Sequence, residues 1–149
     1  MSNSEIDDYI RQLRDADPDV RCDAAGTLGA FGRDGVLAIT PLYELCRDVD
    51  QAVRGEATHS LWEIACSCVG RVAAAEPLLI AGVPILIELL ADPSSDVRAS
   101  AVAVLTVLGP AAGSALPRLR EMLDDGDTEL QTEVSQAIQT ISGTDTERT

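Results

Sequence analysis

The sequence contains no lysine, and this absence sets the charge of the whole chain. All 11 basic residues are arginine, and they stand against 25 acidic residues, 15 of them aspartate, which gives a formal net charge of −14. Such a field repels phosphate groups, so nucleic acids and anionic membranes are poor partners. A protein with a basic surface is the natural complement.

Two explanations of the acidic composition stay open. An aspartate-rich, lysine-free protein resembles those of salt-loving archaea, in which high salt screens the self-repulsion. A GC-rich genome that favours arginine and aspartate codons would give the same composition. The acids and arginines are spread over both halves of the chain, so no acidic tail accounts for the charge.

Aromatic residues make up only 3% of the 149 residues, although 46% are hydrophobic. The core must therefore be built from alanine, leucine, valine and isoleucine, which favours closely packed helices in one domain. The chain also lacks a long apolar run. The most apolar stretch is taken to be Pro77 to Ile87, short of the roughly 20 residues that a membrane span needs. With no signal-peptide pattern at the start, a cytoplasmic location is expected.

Histidine occurs once and cysteine four times, in spacings that do not match a zinc site. Cys66 and Cys68 are two residues apart on a predicted helix and so point to nearly opposite sides. The four cysteines are expected to be reduced, buried small hydrophobic residues. No metal site, cofactor or catalytic residue is predicted.

The sequence does contain one motif that is repeated four times. The copies begin at aliphatic residues spaced by 33, 44 and 33 positions, namely Val20, Val53, Val97 and Leu130. Self-similarity at this period is typical of stacked repeat arrays. We predict an all-α fold, an α-solenoid of about four antiparallel helix pairs in a single domain, 1–149. The repeats are expected at about 4–33, 34–69, 77–109 and 110–142, with an insertion at about 66–82 and a polar tail at 143–149.

A capping residue stands three positions before each leading aliphatic residue. These residues are Asp17, Asp50, Ser94 and Asp127, and their side chains suit the N-cap of a helix. The step of 44 adds about 11 residues around the segment AAAEPLLIAGVP, which predicts an extra short helix. We expect the preceding helix to continue as far as Ala75, because no strong breaker is evident before Pro77.

The repeated motif is a capping residue, then Val-Arg, then small residues and a leucine. It resembles the HEAT repeat family, in particular the short repeats named after phycobilisome lyases, with one armadillo-like insertion. This resemblance covers nearly the whole chain and implies an α-solenoid whose surface binds proteins. Some enzymes of the family bind iron through His-Glu pairs, but the histidines of those pairs are absent here, so iron chemistry is not expected.

Arginine recurs in one slot of the motif, at Arg21, Arg54 and Arg98, and Gln131 takes its place in the last copy. We favour a structural ladder in which each guanidinium bonds acidic side chains or carbonyl groups in neighbouring turns, such as Asp17, Asp50 or Asp92. An anion-binding stripe is the alternative.

The second helix of each repeat is expected to line a groove, and the second repeat carries the richest set of side chains on that face. The candidate binding residues are Glu56, His59, Trp62, Glu63, Asp23 and Glu133. Tryptophan is the residue most often found as a contact anchor. The alternative is that Trp62 only packs against the insertion helix.

We therefore expect a non-catalytic scaffold or adaptor that binds a protein partner, one with a basic surface, on this groove. The alternative function is an accessory subunit of an enzyme, of the bilin-lyase type. That role would need a lined pocket for a tetrapyrrole, and a chain with one tryptophan and one histidine offers little to build it.

Overall fold

The structure is a computed structural model, and it describes residues 2–125 and 130–143. Within these ranges the chain forms nine α-helices and two 3₁₀ helices, and no strand. The α-helices are α1 (Asn3–Gln12), α2 (Pro18–Ala30), α3 (Ile39–Leu45), α4 (Gln51–Cys68), α5 (Ala75–Ala81), α6 (Val83–Leu89), α7 (Ser95–Leu108), α8 (Leu116–Asp124) and α9 (Gln131–Ser142). The 3₁₀ helices are Gly32–Ala38 and Gly109–Ala115.

The helices form two layers. Helices α2, α4, α7 and α9 pack against one another in succession and form the inner layer. Each of them also packs on a partner of the outer layer, which consists of α1, α3, α6 and α8. This arrangement is an α-solenoid, so the predicted fold class is confirmed. The extra helix α5 contacts α3, α4 and α6, and it is the short helix that the step of 44 predicted.

Two of the predicted caps act as expected. The Asp17 carboxylate accepts a hydrogen bond of 3.0 Å from the N–H of Asp19, and the Asp50 carboxylate accepts one of 2.8 Å from the N–H of Ala52. Ser94 is the N-cap residue of α7, but its side chain makes no capping bond. Asp127 lies outside the described residues.

Glycines with positive φ follow the C-terminal ends of all four inner helices, at Gly32, Gly70, Gly109 and Gly143. Helix α4 ends at Cys68, and Gly70 follows with φ of +72°, so the expectation that this helix continues to Ala75 was wrong. Gly109 ends α7 with φ of +59°. Because a residue with a Cβ is strained in this conformation, a single glycine stops a helix as effectively as the proline that we took as the first breaker.

The core runs the length of the stack between the two layers. Corresponding positions of successive inner helices are fully buried, for example Leu28, Leu61 and Leu105 at 0% exposure. The outer helices contribute residues such as Leu42, Leu86 and Leu119, also fully buried. One helix pair cannot bury such residues alone, so the stability of each repeat depends on its neighbours.

The longest uncharged stretch is not Pro77 to Ile87 but Ala99 to Pro117, within the helical segment Ser95–Asp124, which is long and apolar enough to cross a membrane by length and composition. In the structure this segment comprises α7, a 3₁₀ helix and α8, and Gly109 breaks it. The apolar face of α7, including Val97, Val104 and Leu105, is buried between α4 and α9. These features are those of a core helix in a solenoid.

The cysteines divide into two groups. Cys46 and Cys68 are fully buried, as expected for small hydrophobic residues. Cys66 is exposed and Cys22 is half-buried, so the expectation of burial was wrong for these two. The physical reason for Cys66 is its position two residues before Cys68, which places it on the opposite side of α4.

Candidate functional site

An arginine–aspartate ladder fixes the spacing of the inner helices. Arg21 of α2 bonds both carboxylate oxygens of Asp48, with N–O distances of 2.9 and 3.0 Å. Arg54 of α4 bonds Asp92 in the same bidentate way, at 2.8 and 3.2 Å. Each guanidinium thereby joins its own helix to the turn that begins the next inner helix.

The third nitrogen of each guanidinium makes the same kind of bond in the three copies that carry an arginine. The Nη1 groups of Arg21, Arg54 and Arg98 each donate to two carbonyl oxygens in the turn before their own helix, over 2.8–3.2 Å. The side chains of Arg21 and Arg54 are only 13% and 16% exposed. Their donors are used inside the protein, and this bonding is that of a structural ladder.

Of the three acidic partners that we named from the sequence, Asp92 binds an arginine of the ladder, whereas Asp17 and Asp50 do not. Asp17 and Asp50 are occupied as helix caps, and Asp48 takes the role expected of Asp50. Asp48 and Asp92 each lie two residues before the N-cap and also accept the backbone N–H of that residue, at 2.9 Å. One carboxylate therefore shapes the turn and holds the previous helix.

These contacts set the protonation of the two carboxyls. Burial acts to raise the pKa of Asp48, but the bonds from Arg21 and from the N–H of Asp50 outweigh it, so this pKa lies below its usual value. The pKa of Asp92 is lowered likewise, because burial is outweighed by Arg54 and the N–H of Ser94. Both carboxylates stay charged well into the acidic range.

Within the described residues, the inner helices carry more acidic residues than arginines. The inner helices carry three arginines: Arg21 and Arg54 bind the aspartates of the ladder, and Arg98 bonds the carbonyl groups of its own turn as they do. Beyond the ladder, the same helices carry six acidic residues, namely Asp19, Asp23, Glu56, Glu63, Asp96 and Glu133. The inner face is therefore negatively charged along its length.

Glu56 and Glu63 lie over the glycines of α2. A Cβ built at Gly26 would be 2.6 Å from Oε1 of Glu56, and one at Gly29 would be 2.5 Å from Oε2 of Glu63. Both glutamates are half-buried. The two glycines thus leave the space in which these carboxylates lie against the neighbouring repeat.

Trp62 lies on the other side of α4, over α7. It is half-buried and lines a shallow cavity of about 250 Å³, whose other walls come from α7 and α9. The α7 wall includes Ala99, Ala103 and Val107, and the α9 wall includes Glu133. Trp62 forms this cavity with α7 and α9 rather than with the insertion helix α5, which had been the alternative to a role in the groove.

His59 is exposed beside Trp62. The two rings are 5.3 Å apart between centroids and inclined by 33°, and Nε2 of His59 is 3.9 Å from Oε1 of Glu63. Together they line a second depression over Ala99, Ser100 and Ala103. The arrangement offers a flat aromatic surface next to a carboxylate.

The structure brings five of the six candidates into two groups on the inner face. Glu56 and Glu63 lie over α2, while Trp62, His59 and Glu133 border the depressions over α7. Asp23 is exposed on α2 and lines neither depression. The part played by Gly26 and Gly29 was not predicted, although their recurrence three residues apart on one helix face was a usable signal.

A further depression lies at the N-terminal end of the stack. Tyr9 and Phe31 form an edge-to-face pair with centroids 5.8 Å apart, and Glu5 and Asp8 stand beside them. These residues were not predicted as a site, although two of the four aromatic residues of the chain meet here. Among residues 2–125 and 130–143, no cluster of three histidine, cysteine or acidic side chains could hold a metal ion.

A family profile described as HEAT repeats matches residues 83–148. No curated protein matches the sequence. Solved structures do match the fold. An engineered protein superposes with a TM-score of 0.77 at 23% identity, over 94% of this chain and 63% of that one.

Two designed armadillo repeat proteins are similar as well. One matches with a TM-score of 0.76 at 22% identity, over 92% of this chain and 64% of that one. The other, solved in complex with the peptide (KR)4, matches with a TM-score of 0.79 at 19% identity, over 93% of this chain and 64% of that one. The chain thus spans less than two thirds of the length of these three structures, and the likeness concerns the fold.

Proposed function

Because this chain is an α-solenoid of the HEAT/armadillo type, we propose that it is a non-catalytic scaffold that binds a basic protein segment on its inner face. The observation that carries the proposal is the charge of that face. Its three arginines bond within the turns of the stack, and among the described residues no arginine forms a salt bridge with Asp23, Glu56, Glu63 or Glu133. A segment with several lysines or arginines would neutralise these carboxylates.

Trp62 supplies the apolar part of the proposed site. Its ring lies half-buried beside Val107 and the alanines of α7, with Glu133 at the rim. The methylene groups of a lysine or arginine can cover this surface while the charged end reaches a carboxylate. Tryptophan is among the residue types that are enriched at binding hot spots.

The designed armadillo repeat protein in complex with (KR)4 supports the proposal by analogy of fold. The solenoid in that complex holds a peptide of alternating lysine and arginine. Here the acidic inner face offers the charge that such a peptide requires. The alternative, an accessory subunit of an enzyme, has no comparable observation in its favour among the described residues.

The test uses the peptide (KR)4 as a probe, with a neutral peptide of equal length as a control. Fluorescence anisotropy of the labelled peptides is recorded from about 0.05 to 0.5 M salt. We expect (KR)4 to bind with an affinity that falls with salt, because exposed ion pairs are screened over a Debye length of about 10 Å at 0.1 M. The neutral peptide should not bind.

Variants then locate the site. Trp62→Ala should weaken binding by about 2 kcal/mol or more, as expected of a hot spot. Glu56→Gln and Glu63→Gln should mainly slow association and flatten its salt dependence. Asp34→Asn, an equal change of charge at an exposed residue of the first 3₁₀ helix, is the matched control. If Trp62→Ala binds normally but melts early, Trp62 is only a packing residue and the proposed site is wrong.

A further inference from the structure

The insertion helix α5 is buried on one side only. Ala75 and Leu79 are fully buried, whereas Leu78 and Ile80 are 37% and 41% exposed. The neighbouring Pro77, Ala81 and Pro84 are also exposed. We call these five exposed residues, Pro77, Leu78, Ile80, Ala81 and Pro84, the insertion patch.

The patch is held firmly by the layer beneath it. Tyr43 of α3 donates a buried hydrogen bond of 2.8 Å from its hydroxyl to the carbonyl oxygen of Leu79. Its ring lies against the end of α5 so closely that a Cβ at Gly82 would come within 2.1 Å of it. The exposed apolar side chains are therefore presented on a fixed helix.

The charge of this segment differs from that of the rest of the chain. Residues 69–87 contain one arginine, Arg71, and one acidic residue, Glu76, and are neutral overall within a chain of net charge −14. Both charged residues are exposed. The Glu76 carboxylate also accepts a hydrogen bond of 3.1 Å from the N–H of Gly70, at the margin of the patch.

We propose that the insertion patch is the contact by which two copies of this chain form a symmetric dimer. Two copies that meet about a two-fold axis present the same surface to each other, so the contact must be self-complementary. An apolar centre with one positive and one negative residue at its margin meets this requirement, because Arg71 of each copy can face Glu76 of the other. On the acidic inner face, by contrast, two copies would bring carboxylates together.

The dimer contact and the peptide site are separate. Helix α5 packs on the outer helices α3 and α6 and on α4, whereas Trp62 and Glu133 border the cavity over α7. The dimer proposal therefore does not rest on the proposed function. The two contacts should also respond to salt in opposite directions, since salt screens the repulsion between two copies and the attraction of a basic peptide.

Sedimentation equilibrium of the full chain over a range of concentrations tests the proposal, at about 0.1 M and 1 M NaCl, which shortens the Debye length from about 10 Å to about 3 Å. We expect a monomer–dimer equilibrium whose association is stronger at 1 M. Ile80→Asp should raise the dissociation constant about tenfold or more, because the carboxylate would be buried at the contact. Leu78→Ser should raise it as well, without adding charge.

Val49→Asp is the matched control. Val49 is 94% exposed in the turn before α4, so the same kind of change is made outside the patch. It should leave the dimer intact, and circular dichroism melts should show that each variant folds. A monomer at both salt concentrations would overturn the proposal, as would equal weakening by Ile80→Asp and Val49→Asp. Binding to neutral phosphatidylcholine vesicles by a chain that stays monomeric would overturn it in favour of a lipid surface.

Discussion

The two sides of α4 pack against neighbouring inner helices through different kinds of side chain. Toward α2, the helix places Glu56 and Glu63 over Gly26 and Gly29. Toward α7, it places Trp62 over alanines, including Ala99. One side of the helix is thus charged and the other is aromatic.

The difference shows that the neighbouring helices decide what α4 can present. A larger residue at Gly26 would occupy the place of the Glu56 carboxylate, and the alanines of α7 leave the surface on which the Trp62 ring lies. The slot of Trp62 is held by Gly29, Thr106 and Gln139 in the other copies. The side chains that one repeat can present are therefore set as much by small residues in adjacent repeats as by its own large ones.

The core that both sides of α4 share gives the largest expected effect. Leu105 is fully buried in α7, below the wall on which Trp62 lies. We expect Leu105→Ala to lower the free energy of unfolding by about 2–5 kcal/mol, because a large buried side chain is removed. A reversible urea titration measures this loss. The half-buried Thr106→Ala is the control, and a loss below about 1 kcal/mol at Leu105 would show that the residue is not central to the core.

Salt should raise the melting temperature of the chain, because it screens repulsion between carboxylates such as those on the charged side of α4. With a net charge of −14, self-repulsion is large at low ionic strength. We expect the melting temperature to rise by at least about 5 °C between about 0.1 M and 1 M KCl, as screening shortens the Debye length. Circular dichroism melts record the change. A flat response would contradict adaptation to salt and leave codon preference as the explanation of the composition.

The ladder should contribute equally to the two interfaces of α4. Arg21→Gln breaks the bond across the α2–α4 interface and Arg54→Gln breaks the one across α4–α7. We expect each to lower the free energy of unfolding by about 1–3 kcal/mol, because each leaves a half-buried aspartate without its charged partner. Arg118→Gln removes an exposed pair with Glu121 and should change stability by less than about 1 kcal/mol.

The same pairs predict how stability depends on pH. Because the pKa values of Asp48 and Asp92 are lowered on folding, their contribution is complete above the unfolded value of about 3.9 and is lost as the pH falls through the folded value. Stability should therefore fall below about pH 4. The fall should be shallower in Arg54→Gln, as measured by urea titrations between about pH 3 and 6. Equal slopes for this variant and the parent chain would contradict the assignment.

Two glycine substitutions separate packing from the placement of a carboxylate. At Gly29 a Cβ would be 2.8 Å from the Cα of Ser60, so Gly29→Ala forces two helix backbones apart and should cost about 1–3 kcal/mol. At Gly26 the Cβ meets only the mobile end of Glu56. Gly26→Ala should therefore be neutral or stabilise the helix by up to about 1 kcal/mol, while it displaces the Glu56 carboxylate.

Urea titration measures the stability of both glycine variants, and (KR)4 binding reports the placement of the carboxylate. If Gly26→Ala destabilises the chain as much as Gly29→Ala, the glycines serve helix packing alone. If Gly26→Ala is stable and leaves peptide binding unchanged, the position of the Glu56 carboxylate does not matter for the groove.

The fold could be predicted from the sequence because the same motif occurs in several copies that can be compared with one another. Val20, Val53 and Val97 each precede an arginine and follow a capping residue, so the slots of helix, turn and core could be assigned from the copies together. Helix ends were less predictable, because they depend on single residues. Gly70 ended α4 where the apolar pattern favoured continuation.

The candidate site was only partly predictable. The inner face of α4 could be assigned from helical periodicity, and that placed Glu56 and Trp62 together. The residues of α2 and α7 that pack against them could not be assigned, because the sequence of α4 does not show which residues lie across each interface. The same limit applies to Asp48, which binds Arg21 in place of Asp50. Both aspartates lie in the same turn, and the repeated sequence motif does not show which of the two side chains points toward the arginine.

The geometry of the arginine–aspartate ladder does not depend on the number of residues between the two partners. Arg21 and Asp48 are 27 residues apart and Arg54 and Asp92 are 38 apart, yet both pairs have the same bidentate geometry. The extra residues, which include α5, are thus looped out between two fixed points, and the register of the inner helices resumes unchanged beyond them. In evolution, such a stack can lengthen a connection and gain new surface on one face while the alignment of the opposite face is preserved.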